Sequence, residues 1–255
     1  MSRSSEIRGA ILLALLSIAW PGPAAAQSVA VSASEDATLY AEGDLANGGG
    51  QYLFAGLTAN GRARRSLLRF DVAAAVPPGF VVESATLTLT LDRTIVPATP
   101  IAIHRLLASW GEGSIDVTGR EGDGADAESG DATWADRFHP DVSWSVAGGD
   151  FAPAPSATST AGGPSAVVFS GGAMVADVQA WLDDASSNQG WILVGDESTV
   201  PTAKRFASRQ SFDPAMAPVL VVGVRPPSIP TLSPVVLGLW GLLLGGAGLH
   251  LIRRA

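Results

Sequence analysis

Thr86-Leu87-Thr88-Leu89-Thr90-Leu91 alternates hydroxyl-bearing and aliphatic side chains without a break. Side chains on a strand point to opposite faces in turn, so this stretch reads as a half-buried strand with leucines toward a core and threonines toward water. Similar β-rich runs lie on both sides of it, at 29–34, 37–41, 52–56, 66–71, 101–107, 166–170, 191–195, 205–209 and 218–224. Turn-forming clusters separate them, among them Asn47-Gly48-Gly49-Gly50, Asn60-Gly61 and Pro77-Pro78-Gly79. Many short strands at this spacing predict an all-β protein, a β-sandwich. One run departs from the pattern: Met174, Val178, Trp181 and Leu182 recur at helical spacing. They predict a single short helix capping one end of the sandwich.

The composition narrows the function classes. The 255 residues carry a formal net charge of −8 and no cysteine. The absence of cysteine removes thiol nucleophiles, disulfides and thiolate metal sites. With 47% hydrophobic and 16% charged residues the chain is too apolar for a disordered polyanion, and its acidity argues against a nucleic-acid binder that neutralises phosphates.

Both ends carry export signals. Residues 1–26 hold Arg3 and Arg8, an apolar run from Ala10 to Trp20, a Pro-Gly-Pro break, and the small residues Ala24, Ala25 and Ala26 before Gln27. This is the layout of a signal peptide whose helical apolar run is too short to span a bilayer, so signal peptidase is expected to leave Gln27 as the first mature residue. Residues 234–252 are nineteen residues whose one strongly polar member is His250. As a helix they cover roughly 28 Å, enough for a transmembrane span. Arg253 and Arg254 follow as a basic cytoplasmic tip, placing the bulk of the chain across the inner membrane. Before the span come the proline-rich residues 225–228 and Ile229-Pro230-Thr231-Leu232-Ser233. Together these parts resemble the IPTL-type and PEP-type C-terminal sorting tails of Gram-negative bacteria. The resemblance implies recognition by an exosortase-like membrane protease and release to the cell surface or extracellular matrix, where a permanent single-pass anchor is the alternative. The chain departs from those tails at Pro234, where they continue with Glu-Trp-Gly.

Residues 27–228, with 12 basic and 23 acidic side chains, form the exported part and carry a net charge of −11. The strand-bearing region, 27–224, holds a series of motifs in order: Asp36-Ala37-Thr38, Asn47-Gly48-Gly49, Arg65-Ser66-Leu67-Leu68-Arg69-Phe70-Asp71, Ser109-Trp110-Gly111-Glu112, Asp131-Ala132-Thr133-Trp134, Val178-Gln179-Ala180-Trp181-Leu182 and Asn188-Gln189-Gly190-Trp191. The set resembles the DNRLRE domain family over nearly all of residues 30–224. The resemblance implies a jelly-roll-like β-sandwich of a secreted or surface protein, similar to carbohydrate-binding modules, and it implies no catalysis.

The residues agree that catalytic signals are sparse. His104 and His139 have no GxSxG elbow to complete a hydrolytic triad, and HExxH, P-loop and GxGxxG motifs are missing. Ten acidic residues fall between Glu112 and Asp150, in a segment with little strand pattern. Asp123, Asp126 and Asp131 are its candidate calcium ligands, since closely placed carboxylates and carbonyls suit Ca2+; a solvated acidic loop is the plainer alternative. For polysaccharide the candidates are Arg64, Arg65 and Arg69, whose forks suit sugar carboxylates, with Trp134 and Trp144 as stacking platforms if they are exposed. The expectation is a non-catalytic surface or matrix protein that binds extracellular polysaccharide, with a secreted polysaccharide-degrading enzyme and a purely structural surface protein as the competing classes.

Overall fold

A computed structural model describes residues 26–227. The expected signal helix, with Ala24, and the sorting motif, transmembrane span and basic tip from Ile229 to Arg254 lie outside the described residues. Among those described, no helix is long and apolar enough to cross a membrane.

The chain is mostly β, with few helices. Its strands are β1 (Gln27–Tyr40), β2 (Leu45–Ala46), β3 (Tyr52–Leu57), β4 (Ala63–Phe70), β5 (Val81–Thr94), β6 (Thr99–Arg105), β7 (Ala125–Asp126), β8 (Asp136–Phe138), β9 (Val142–Ser143), β10 (Ala157–Ala161), β11 (Ser165–Ser170), β12 (Trp191–Gly195), β13 (Lys204–Ala207) and β14 (Val219–Arg225). The helices are α1 (Val72–Ala75) and α2 (Gly172–Asp183). Ten strands form one barrel-like sheet in the order β1-β14-β5-β13-β3-β4-β12-β6-β10, with β11 on β5. A second pairing of β1, with β4, closes β1, β14, β5, β13, β3 and β4 into a ring.

The closure depends on β1. Its first half pairs β14 from Gln27 to Ser32, and its second half pairs β4 from Ala33 to Tyr40, with a bulge between Ala33 and Glu35. A one-residue slip sends each following side chain to the opposite face. Val29, Val31 and Ala33 accordingly pack inward, whereas Ala37 and Leu39 pack on the outer face. This is why the segment reads in sequence as two strands, although it is one of 14 residues.

Inside the ring Leu87, Leu89 and Leu91 are fully buried and Thr86, Thr88 and Thr90 are half-buried, as their alternation requires. Phe70, Phe169, Trp191 and Phe206 join them. Helix α2 closes this core with Met174, Val178, Trp181 and Leu182. The Trp181 and Trp191 rings lie 4.4 Å apart, and Asp177 of α2 accepts the Trp191 indole N–H at 2.9 Å.

A second apolar cluster occupies the outer face of β1, β4 and β12. Ala37, Leu39, Leu67 and Ile192 meet Leu106, Trp110, Ala132 and Trp144, which the segment between β6 and β10 brings over them. This cover contains strands of only two or three residues, and side chains staple it down. Glu112 accepts the Asp36 N–H at 2.9 Å and both arms of Arg209. Glu121 accepts the Tyr52 N–H at 2.9 Å and the Asn47 amide at 3.2 Å, while its carbonyl accepts the Tyr40 hydroxyl at 2.7 Å. The triple glycine is the seat of these staples. A Cβ on Gly48 would stand 1.8 Å from the Glu112 carbonyl oxygen, and one on Gly50 would stand 2.5 Å from Glu121 Oε2.

Candidate functional site

Where the cover ends, the outer face of β4, β12, β6 and β10 stays open and forms two adjoining hollows. The larger, about 700 Å³, is lined by Leu107, Val146, Phe151 and Pro153 with Arg65 and Asp150. Leu107 and Val146 are 56% and 67% exposed, and both line the same hollow. The smaller, about 400 Å³, is lined by Ala102, His104, Thr158, Val194, Asp196 and Ser198. His104 and Phe151 divide them, with ring centroids 5.2 Å apart in an edge-on contact, and His104 Nδ1 lies 2.9 Å from the Ala152 carbonyl.

The loops along this groove are held by their own carboxylates. Asp150 accepts the N–H groups of Ser145 and Val146, each at 2.9 Å, which fixes the turn carrying Val146. Asp196 accepts the Ser198 hydroxyl at 2.6 Å and its N–H at 2.9 Å, and these bonds, the hydroxyl first, hold its carboxyl below the usual carboxylate range. The carboxyl pushed far the other way is Asp36, raised by burial to about 7, and it belongs to the Glu112–Arg209 staple rather than to the groove.

The arginines expected to face a ligand are already paired. Arg64 is buried, forked onto Glu42, and donates to the Gly122 carbonyl at 3.0 and 3.1 Å. Arg65 does reach the groove, but its fork is filled by Glu197 at 2.8 Å on both oxygens, its third donor goes to the Gly148 carbonyl, and it lies 4.7 Å from the Trp134 ring centroid. Arg69 pairs with Glu35 over Trp110. The forks of Arg64 and Arg65 are thus both taken by carboxylates, while Arg69 meets Glu35 through a single nitrogen. Trp144 is a core residue rather than a platform: it is 5% exposed and its indole N–H donates to the Thr133 carbonyl at 2.9 Å. Trp134 is half-buried beneath Arg65. The cover accounts for Trp144, which it carries over the outer face of β4, whereas the arginines are paired by Glu42, Glu197 and Glu35, which lie outside it.

The three candidate calcium ligands are likewise kept apart. Asp123 is exposed beside Arg120, Asp126 is exposed on β7, and Asp131 is buried with Oδ2 accepting the Glu128 N–H at 2.7 Å. Among the described residues they do not converge on one point. The groove residues Leu107, Val146, Phe151 and Pro153 come from two stretches of chain, Leu107 just after β6 and the other three 39 to 46 residues later. Their one signal was apolar character in or beside an acidic, glycine-rich stretch.

No protein-family model matches this chain, and no curated protein matches its sequence.

Proposed function

We propose that the protein is an exported, non-catalytic carbohydrate-binding module of the DNRLRE kind, a jelly-roll-like sandwich that grips polysaccharide in the Leu107–Val146–Phe151 groove. The observation that carries this reading is that groove: the exposed aliphatic side chains Leu107 and Val146 beside the half-buried ring of Phe151, with Ser145, Asp150, Asp196 and Ser198 at its edges. Sugar rings offer apolar C–H faces and hydroxyl rims, and such a lining suits both. Because Arg65 is neutralised by Glu197, the segment bound is an uncharged glycan rather than a uronate. At the groove's edges Asp150 and Asp196 accept hydrogen bonds from their own loops and so fix its walls. The terminal segments supply location: a signal peptide for export, and a sorting tail that holds the chain in the inner membrane until an exosortase-like protease releases it to the surface or matrix.

Affinity electrophoresis through gels of neutral and uronate-containing polysaccharides tests the reading. Retardation is expected in a neutral gel and to fall at least tenfold in association constant for Leu107→Asp and Val146→Asp, both exposed enough to change without disturbing the core. Unaltered retardation in both variants, mobility unaffected by every neutral glycan, or release of reducing ends or unsaturated uronates by the wild type would overturn it.

A further inference from the structure

Strands β8 and β9 form a small hairpin within the cover, and Asp136 stands at its base, 8% exposed. Its Oδ1 accepts the Ser143 hydroxyl at 2.7 Å and its Oδ2 faces His139 Nδ1 at 3.0 Å. A third group arrives from 92 residues earlier. Asp44, in the turn between β1 and β2, brings its carboxylate close enough that one donor atom from each of Asp44, Asp136 and His139 lies within 4.8 Å of the other two. Among the described residues no other group of three potential ligands converges in this way.

We propose that Asp44, Asp136 and His139 form a zinc-class divalent metal site that clamps the cover to the turn after β1. The donor set selects the metal. One imidazole nitrogen with two carboxylate oxygens suits Zn2+ or Co2+, with bonds of about 2.0–2.2 Å, whereas Ca2+ and Mg2+ favour all-oxygen shells. At such bond lengths neighbouring ligand atoms of a tetrahedron are about 3.3 Å apart, close to the Oδ2–Nδ1 separation observed. Charge points the same way. Among the described residues neither aspartate is ion-paired with a lysine or arginine, and the adjacent Arg137 turns instead to Ser109 at 2.9 Å. Two close carboxylates beside one imidazole therefore leave a negative balance that a divalent cation neutralises. Ser143 supplies the outer hydrogen bond that orients a ligating carboxylate. Asp44 is exposed, leaving room for water as a fourth ligand. The backbone already approaches here, the Ala127 N–H donating to the Asp44 carbonyl at 2.9 Å, so the metal would stiffen an existing junction in a chain without disulfides.

The test uses the exported protein, purified without a histidine tag and stripped by chelator. Titration with Co2+ should produce the visible ligand-field bands of a four-coordinate site with one ion per chain, and Zn2+ should abolish them. Zn2+ at a hundredfold excess over Kd should raise Tm by roughly 5–10 °C. Asp44→Asn and His139→Gln should each weaken Zn2+ at least tenfold, with Asp44→Asn, at an exposed position, keeping the metal-free Tm. Absent Co2+ bands, or wild-type Zn2+ affinity in either variant, overturns the site. The groove and its glycan binding are unaffected by either result, because no ligand of the metal lines the groove.

Discussion

The two apolar clusters lie back to back on β1, β4 and β12, yet they are built by different means. The inner cluster takes alternate residues from a continuous hydrogen-bonded ring, so its backbone groups are satisfied by neighbouring strands and its side chains only have to fill space. The outer cluster takes one layer from those strands and the other from a cover with almost no ladder. There carboxylates replace the missing partner strands: Glu112, Glu121, Asp131 and Asp150 each accept at least one backbone N–H. Part of the acidity of the cover is thus structural. A layer that cannot pair as a strand is held by side-chain acceptors, and it depends on each of them in a way the ring does not.

The largest effect should come from the inner cluster. Trp191→Ala removes a fully buried indole packed on Trp181 and Phe70, and it strips Asp177 of an N–H donor. A loss of about 3–5 kcal/mol is expected in denaturant unfolding, with the inner and outer clusters lost in one transition. A variant that lost only the outer cluster would break the distinction between ring and cover.

Legibility followed the same division. The leucine alternation of β5 and the helical spacing of α2 survive in the fold because each element lies against a single core, so periodicity alone reports its buried face. Around Ala33–Glu35 the reading broke because a bulge exchanges the faces of β1, and no local propensity marks that event. The surroundings of Trp144 and Arg65 were illegible for a different reason. The two-residue period of a strand puts Leu67 on the opposite face of β4 from Leu68, but carries no sign that residues 106–156 fold over that face. The groove suffers from the same gap, since its lining is assembled only after the cover is in place. Asp136 and His139 are three residues apart, whereas Asp44 joins them only through the tertiary fold.

Asp36 tests the joint between the two regions. Its carboxyl is 1% exposed and burial raises it from 3.8 to about 7 in the folded chain, with Glu112 adding to the rise while the Arg209 backbone N–H and guanidinium oppose it. Between pH 4 and 7 the folded state therefore holds a proton that the unfolded state has released. The Asp36 contribution to stability is fullest below about pH 4, falls as pH rises, and levels off above about 7. Asp36→Asn keeps an acceptor for the Arg209 N–H without the ionisation. Relative to the wild type it should gain on the order of a few kcal/mol between pH 4 and pH 8, read as a difference in Tm profiles. A constant difference across that range would show that Asp36 is charged throughout and that the joint carries no proton-linked cost.

The smallest change separates the regions most cleanly. Gly48→Ala places a methyl 1.8 Å from the Glu112 carbonyl oxygen, a contact that only movement of the cover or of the Asn47–Gly50 turn can relieve. Backbone rather than a flexible side chain is in the way, so the displacement should loosen the Glu112 bonds to Asp36 and Arg209 while leaving the β14-β5-β11 pairings in place. The expected loss is about 1–3 kcal/mol. Hydrogen exchange gives the sharper readout: amides of residues 106–151 should exchange faster in the variant, whereas those of Leu87, Leu89 and Leu91 exchange only through global unfolding and should change by no more than the overall stability loss. Equal acceleration in both sets would mean that cover and ring open together, and that the carboxylate staples are as cooperative as the strand ladder they replace.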